Sequence, residues 1–397
     1  MTSPDAPRPA SSSRQKSKSR EWIPRIWAGA TAPAWFGLLS RNRFAVEWPY
    51  LHIAIIDSLT SPFNSLLGLA QDALFSRAIA RKPFSEPPIF ILGHWRTGTT
   101  LLHELLIQDE RHSFPTSYQC VAPSHFLLTE WLATRCLSFM VPSRRPMDNM
   151  ALGWDRPQED EFALCNLGAQ SPYLTMAFPN HPPRAQAYYE LRDVTDTERD
   201  AWCRVLSKFM RAVNYRNPKR LVLKSPTHTW RMKVLSRLFP EARFVHIVRD
   251  PCTVYLSTVH LLKVLYSTQG FQKPRFEGLE EYVFNTFLDM HRALDDARAE
   301  VPTARFHELR YEDLVADPIG QLEAIYARLE LGDFDPARPS VERYLERVKD
   351  YKTNRYELPV ELHAEINRRW GEVIRRHGYW REPGQPLETR PAGQSRP

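Results

Sequence analysis

The sequence lacks an apolar run of the length that a lipid bilayer requires. Its least polar stretch, residues 58–71, still contains Ser, Thr, Asn and Pro, whereas a membrane-spanning helix takes about 20 consecutive, mostly apolar residues. Residues 1–20 have no apolar core and are rich in Pro, Ser and basic residues. We therefore expect no transmembrane helix, and a disordered basic tail rather than a secretory signal over residues 1–20.

Cysteine is also scarce, and its spacing does not match the common metal sites. The five cysteines form no C-x-x-C pair, and no histidine pair at zinc-binding spacing stands near them. We interpret them as reduced thiols of a cytoplasmic protein, and we expect no bound metal. They are Cys120, Cys136, Cys165, Cys203 and Cys252.

Neither sign of charge dominates, although basic residues are in excess. The 53 Lys and Arg residues and 46 Asp and Glu residues give a formal net charge of +7. This excess favours an anionic ligand, nucleic acid or an acidic membrane face, and it does not choose among them. The basic residues do not accompany a nucleic-acid recognition module, so we expect no nucleic-acid partner.

Residues 21–86 are predicted to form a helical extension at the start of the chain. Tryptophan and arginine are interleaved in its first part, and Leu66, Leu67, Ala70 and Leu74 recur at helical spacing. One interpretation is a helical layer packed on the main domain. The other is peripheral attachment to an anionic membrane surface, on the inner face of the membrane.

From residue 87 onward, short apolar runs alternate with helical patterns. All but the last of the candidate strands are nearly continuous apolar runs, as expected for strands covered on both faces. The alternation predicts an α/β fold, a three-layer parallel sheet flanked by helices, with ligands beyond the carboxyl ends of the strands. The candidate strands are residues 89–92, 221–223, 244–248 and 305–309.

The predicted domain spans residues 87–382. Within it, residues 110–195 are less regular and rich in proline and aromatic residues, so we expect an insertion that covers the acceptor side. Residues 383–397 are predicted to be a disordered tail.

The stretch Gly-His-Trp-Arg-Thr-Gly-Thr-Thr, residues 93–100, follows the first candidate strand and precedes a helix. Its two glycines allow positive φ and a close approach of the backbone to a ligand, and the first helical turn adds unpaired amides. Thr99 and Thr100 add hydroxyl donors, and Arg96 adds a permanent cation. A Walker loop would carry lysine where Thr99 stands. The loop is therefore suited to a shorter anion than a nucleoside triphosphate.

A second candidate anion site follows the strand at 244–248. Arg249 stands at the strand tip, and Ser257 lies eight residues further on in the next helix. Proline at 251 suits the first turn of that helix. The arginine and the serine together are suited to hold a separate phosphate.

These motifs resemble those of sulfotransferases that use 3'-phosphoadenylyl sulfate (PAPS), whose 5'-phosphosulfate loop reads roughly P-[KR]-[ST]-G-T-T. Here the loop stands as Trp-Arg-Thr-Gly-Thr-Thr at 95–100, and an arginine followed eight residues later by a serine matches the 3'-phosphate motif. The resemblance implies a P-loop-like sulfotransferase fold, PAPS as the donor and no metal. The donor-binding residues that it implies are Arg96, Thr97, Gly98, Thr99, Thr100, Arg249, Ser257 and Tyr311.

Two further segments carry the resemblance over about 87–331. Leu-Val-Leu-Lys-Ser-Pro at 221–226 places Lys224 at a strand end, where many members keep a lysine for the transferred group. Arg-Tyr-Glu-Asp-Leu at 310–314 resembles an element that follows a later strand, and the alternative role for Tyr311 is a place in the core. The chain lacks the R-K-G motif of the cytosolic steroid and phenol enzymes, and residues 351–355 are the candidate substitute.

Sulfuryl transfer is analogous to phosphoryl transfer, an in-line displacement that needs cations near the leaving oxygen and a base for the acceptor. Arg96 and Lys224 are the candidate cations. Glu159 and Glu161 are the first candidates for the base, and His228 is the second. The alternative role for the carboxylates is to stabilise the start of a helix near residue 157.

Two other functions stay open at this point. A P-loop kinase or ATPase would use 244–250 as a Walker B strand, but Thr99 in the lysine position disfavours it. A non-catalytic protein at the membrane surface would keep the nucleotide fold and use the segment rich in Trp and Arg. The expected acceptor is a lipid, a glycan or a small molecule, and the sequence does not choose among them or give an oligomeric state.

Overall fold

The computed structural model of the protein describes residues 25–136, 153–349 and 357–385. The predicted tail at 1–20, most of the tail at 383–397 and the candidate motif at 351–355 lie outside the described residues. In the described part, the chain forms the expected α/β fold, with helices on both faces of a parallel sheet.

The sheet contains five strands in the order β2-β3-β1-β4-β5. Every pair of neighbouring strands is parallel. Four strands match the candidate strands of the sequence, and the short β2 had no apolar run to reveal it. The strands are β1 (Ile89–Leu92), β2 (His112–Ser113), β3 (Arg220–Lys224), β4 (Arg243–Val248) and β5 (Phe306–Arg310).

The central strand β1 is buried on both faces, which makes the fold three-layered. Ile89 and Ile91 belong to one apolar cluster, while Phe90 and Leu92 belong to another on the opposite face. This follows from the alternation of side chains along a strand. The helices that follow β1 in the chain are α3 (Thr99–Leu106), α4 (Ser117–Val121), α5 (Phe126–Cys136), α6 (Asp160–Asn166), α7 (Asp196–Arg216), α8 (Met232–Leu238), α9 (Pro251–Gln269), α10 (Leu279–Arg298), α11 (Tyr311–Ala316), α12 (Pro318–Leu329), α13 (Arg338–Val348) and α14 (Val360–Arg376).

The described part of the N-terminal extension forms α1 (Ala32–Arg41) and α2 (Leu51–Arg81). Its start is anchored to the main body, because Trp27 is buried and its Nε1 donates a hydrogen bond to the carbonyl of Gln269 at 2.8 Å. Residues 48–81 are long and apolar enough to cross a membrane by length and composition, with 28% of the most apolar window buried. The sequence expectation had missed this stretch because it counted only the least polar 14 residues.

Candidate active site

The carboxyl ends of β1, β3 and β4 bring three predicted motifs to one edge of the sheet. Ile91 in the central strand pairs with Lys224 on one side and with Val245 on the other. The loop at 93–100, Lys224 and Arg249 therefore lie next to one another, where ligands of open parallel sheets bind.

The loop at 93–100 is shaped by glycine and closed by a tyrosine from a distant part of the chain. Gly98 has φ of +101° and stands immediately before α3. A Cβ atom at this position would lie 2.3 Å from Cδ2 of Tyr311. Only glycine therefore leaves room for the ring, which contacts the loop directly.

The two predicted anion sites are in contact with each other. Nη1 of Arg249 donates a hydrogen bond to the carbonyl of Arg96 at 3.0 Å, and its guanidinium lies 4.2 Å from the centre of the Tyr311 ring. Nε of Arg96 donates to Oγ of Ser257 at 2.7 Å. Four of the predicted donor-binding residues thus form one cluster beside the 93–100 loop. Two of them, Arg96 and Arg249, are cations.

Glu159 faces the same edge from the acceptor-side insertion. It stands immediately before α6, and its Oε1 accepts a hydrogen bond from Nζ of Lys224 at 2.8 Å. Its other oxygen accepts from the hydroxyl of Tyr173 at 2.7 Å, and that hydroxyl accepts from Nε1 of Trp95 at 3.0 Å. The carboxylate of Glu159 is the centre of a hydrogen-bonded chain that begins in the 93–100 loop.

Glu161 has a different environment, because it is fully buried against Arg231. Its two oxygens accept hydrogen bonds from the guanidinium at 2.5 and 3.0 Å, from Thr227 at 2.8 Å and from Ser171. Burial alone would raise the pKa of Glu161, but the charge and hydrogen bonds of Arg231 outweigh it, so that the pKa lies below its usual value. Both oxygens of this carboxylate are therefore occupied by donors from the protein interior.

His228 is also fully buried, as is its partner Asp160. Nε2 of the imidazole lies 2.8 Å from Oδ2 of Asp160, and the ring packs edge-on against Phe90 in β1. Three successive carboxylates, at 159, 160 and 161, therefore meet three basic side chains, at 224, 228 and 231. Glu159 is the most exposed of these carboxylates, with 16% of its side chain accessible.

The sequence did not predict the hydrogen-bonding roles of Tyr173, Trp95 and Arg231. The basic residues at 224, 228 and 231 match the run of acids at 159–161, and this charge pattern was the available signal for Arg231. Tyr173 carried no such signal, because it lies in the irregular insertion. In the ranges that the structure describes, no group of three His, Cys, Asp or Glu residues is placed to hold a metal ion.

Comparison with known proteins identifies the family. A sequence profile of the Sulfotransferase family matches residues 87–336. The chain belongs to the sulfotransferase family. It is 50% identical over 381 residues, or 96% of its length, to the omega-hydroxy-beta-dihydromenaquinone-9 sulfotransferase Stf3 of Mycobacterium tuberculosis and of Mycobacterium bovis, covering 98% of each. The protein is therefore a sulfotransferase.

Solved structures support the fold of this sulfotransferase. The sulfotransferase STF9 from Mycobacterium avium superposes with a TM-score of 0.62 at 18% identity, covering 90% of this chain and 98% of the other. STF1 from Mycobacterium tuberculosis superposes with a TM-score of 0.57 at 19% identity, covering 79% and 86%. At these identities, the likeness establishes the P-loop-like sulfotransferase fold.

Proposed function

We propose that the protein transfers a sulfuryl group from PAPS to the hydroxyl of a lipid-like acceptor of the hydroxylated isoprenoid quinone class. The contact between Arg249 and the 93–100 loop carries the donor part of the proposal, because it joins two anion sites into one. The acceptor class rests on the relatives at 50% identity, which are named for a hydroxylated menaquinone derivative.

The chain offers groups for both phosphates of the donor. The amides of 98–100 at the start of α3 are suited to the 5'-phosphosulfate, because unpaired amides at a helix start bind anions. The amide of Thr97 instead donates to the carbonyl of His94 at 3.3 Å and closes the loop. Arg249 and Ser257 are the groups for the 3'-phosphate. Tyr311 is the group that fixes Arg249, since its ring lies under the guanidinium.

When bound, PAPS supplies a sulfuryl group joined through a bridging oxygen to its 5'-phosphate. In the proposed transfer, the acceptor oxygen forms a bond to sulfur while the bond from sulfur to the bridging oxygen breaks, and that oxygen keeps the electron pair. Lys224 and Arg96 neutralise the charge that grows there. The proton of the acceptor hydroxyl passes to the carboxylate of Glu159.

Glu159 is assigned the role of base because of its position rather than its residue type. It contacts Lys224 and lies next to the loop, whereas Glu161 and His228 are fully buried and paired. A base must come within hydrogen-bond reach of the proton that it removes. We assign Glu161 and His228 to positioning, since Arg231 and Asp160 hold them away from the accessible edge.

Donor binding is tested by thermal unfolding with 3',5'-bisphosphoadenosine (PAP), the product of the donor, in the presence of EDTA. PAP is expected to raise the melting temperature without magnesium, because a ligand that binds only the folded state stabilises it. Arg249→Ala should abolish the shift. Arg237→Ala, which removes an exposed arginine paired with Glu300, should retain it.

Two results would contradict the donor assignment. Indifference to millimolar PAP would exclude the nucleotide site, and protection by Mg-ATP alone would favour a kinase or ATPase. Loss of the PAP shift in Arg237→Ala as well would show that the effect of Arg249→Ala is not specific.

Acceptor identity is tested by transfer of labelled sulfate from PAPS. We expect label on a menaquinone with a terminal hydroxyl and none on the same quinone without that hydroxyl, which is the matched control. Label on a glycan or a water-soluble phenol, with none on the hydroxylated quinone, would overturn the lipid assignment while leaving the donor site intact.

We also propose a cytoplasmic location. All five cysteines, each within the described ranges, are free, which suits a reducing compartment. Fractionation of cells into cytosolic, membrane and periplasmic material tests this proposal, and recovery in the periplasm would contradict it.

A further inference from the structure

The helix α2 has a reversed distribution of polarity. The buried positions along it are Ala54, Asp57, Ser61, Asn64 and Gln71, and all but the first are polar. Many of its exposed positions are large and apolar, and Leu59, Leu69 and Leu74 are exposed by 74%, 67% and 68%. A helix of a soluble domain normally turns its apolar face inward.

The polar face is held in place by specific hydrogen bonds. Nδ2 of Asn64 donates to the carbonyls of Ala28 and Ala30 at 3.0 and 3.1 Å. Oε1 of Gln71 accepts from the amide of Leu127 at 2.8 Å. These contacts fix the rotation of α2, so that its apolar side faces away from the protein.

The apolar side is continuous and free of charge over most of its length. From Leu51 to Leu74 it extends for about 35 Å at the rise of an α-helix. The one ionisable side chain between Leu51 and Gln71 other than His52 is Asp57, which is buried on the opposite side. The exposed apolar residues of this side are Leu51, Ile55, Ile56, Leu59, Phe63, Leu66, Leu69 and Leu74.

Basic and aromatic side chains flank this apolar side. Arg41 and Arg43 are exposed before the helix, and Arg77 and Arg81 are exposed in its last turns. Trp48, exposed by 84%, stands just before the helix. Arginines beside an apolar face complement anionic lipid headgroups, and tryptophan favours the boundary between headgroups and acyl chains.

We propose that the outward face of α2 docks the protein on an anionic lipid bilayer, with the helix lying in the plane of the interface. A spanning orientation is disfavoured, because the polar face of α2 is bonded to the rest of the protein along its length. A bilayer explains both the apolar stripe and the arginines at its ends, whereas a second copy of the chain would require acidic groups opposite them.

The helix α2 is connected through the start of the described chain to α6, the helix that follows the candidate base. The turn before α1 contacts both α2 and α6, since the amide of Asn166 donates to the carbonyl of Ile26 at 2.8 Å and Asn64 donates to Ala28. The helix α6 begins next to Glu159. Docking would hold the protein on the surface that contains a lipid acceptor, while docking itself does not depend on the proposed donor or acceptor.

The test is flotation of the full-length protein with vesicles of phosphatidylglycerol and phosphatidylcholine. The triple variant Leu59→Ser, Phe63→Ser, Leu66→Ser should lower the bound fraction at least about tenfold, because it removes buried apolar area from the membrane contact. Pure phosphatidylcholine vesicles should bind the wild type more weakly. The matched control Leu288→Ser, Val315→Ser, Val360→Ser removes three exposed apolar side chains from other helices and should bind like the wild type.

Three outcomes would overturn the proposal: no binding of the wild type to either vesicle, unchanged binding of the α2 variant, or equal loss in the control variant. Size-exclusion chromatography with light scattering adds a further criterion. A lipid-free dimer that the α2 variant converts to a monomer, together with no vesicle binding, would assign the face to self-association. The PAP shift in melting temperature should persist in both variants, which separates docking from donor binding.

Discussion

Nζ of Lys224 lies 2.8 Å from Oε1 of Glu159, although the two residues are 65 positions apart. The lysine ends β3, and the glutamate precedes α6 in the acceptor-side insertion. The pair therefore connects the sheet edge that carries the donor loop to the segment that covers the acceptor. Such a pair keeps both groups oriented before substrates arrive, and each has an assigned role when they do.

Glu159→Gln is expected to lower kcat by about 10²–10⁴-fold, the range typical for loss of a general base. The amide keeps an oxygen for Tyr173 but does not take up the acceptor proton. The measurement is steady-state transfer from PAPS to a hydroxylated quinone, with the PAP shift in melting temperature as a check on donor binding. Asp155→Asn, an exposed acid in the same segment, should behave as the wild type. A Glu159→Gln enzyme with unchanged kcat would remove this residue from the role of base.

Arg231→Met is expected to lower the free energy of unfolding by about 3–5 kcal/mol, because it leaves the carboxylate of Glu161 buried without its cation. Both side chains are fully buried. Equilibrium unfolding in urea measures the loss. The double variant Arg231→Met, Glu161→Gln should recover part of it, since no buried charge then remains. If the double variant is as unstable as the single one, the loss comes from packing against Trp202 rather than from charge.

Gly98→Ala is expected to abolish the PAP shift, because the new methyl group would overlap the Tyr311 ring. Gly278→Ala is the matched control: its φ is +71°, but nothing lies within 4 Å of the added carbon. In the control, the free energy of unfolding should fall only by the penalty for a left-handed alanine, about 1–2 kcal/mol. The control should keep PAP binding. Equal PAP affinity in the two variants would show that contact with Tyr311 does not shape the loop.

Acid is expected to destabilise the protein partly through His94. Burial among Trp95, Trp230 and Phe287 lowers the pKa of His94 to about 3. Between that pKa and the unfolded value near 6.5, the unfolded chain binds the proton and the folded chain does not, so stability falls as the pH drops through this window.

From pH 6.5 to pH 5, one such histidine costs about 2 kcal/mol in the free energy of unfolding. Urea unfolding at pH 7 and pH 5 measures the total loss, and His94→Phe should reduce it by about this amount. An identical loss in the variant and the wild type would mean that His94 is protonated in the folded protein.

Much of the fold could be predicted because buried strands appear in the sequence as short apolar runs. The strand predicted from the run Ile-Phe-Ile-Leu has the same bounds as β1, since both faces of the strand are covered. Proline at 251 predicts the start of the helix after Arg249, and this helix spans Pro251–Gln269. It ends directly before Gly270, and a glycine after the last turn is a common stop signal for a helix.

The site was predicted less completely, because contacts over long separations leave no local pattern. The motifs predict the 93–100 loop and Arg249 as anion-binding groups. They do not predict the hydrogen bond between Arg249 and the loop backbone, because the two residues that it joins are far apart in the sequence. The interpretation of α2 shows the same limit. Leu66 and Leu74 recur at helical spacing, as expected, yet both are exposed. Periodicity reveals that a helix has faces and does not reveal which face is covered.

The ring of Tyr311 has a consequence for biosynthesis. The 93–100 turn is completed by Tyr311, which directly follows β5, and the guanidinium of Arg249 lies on the same ring. While residue 311 has not yet emerged from the ribosome, a nascent chain lacks this support for its 93–100 loop. PAP is thus expected to stabilise the fold only after translation has passed β5. Shorter fragments should show no stabilisation by PAP.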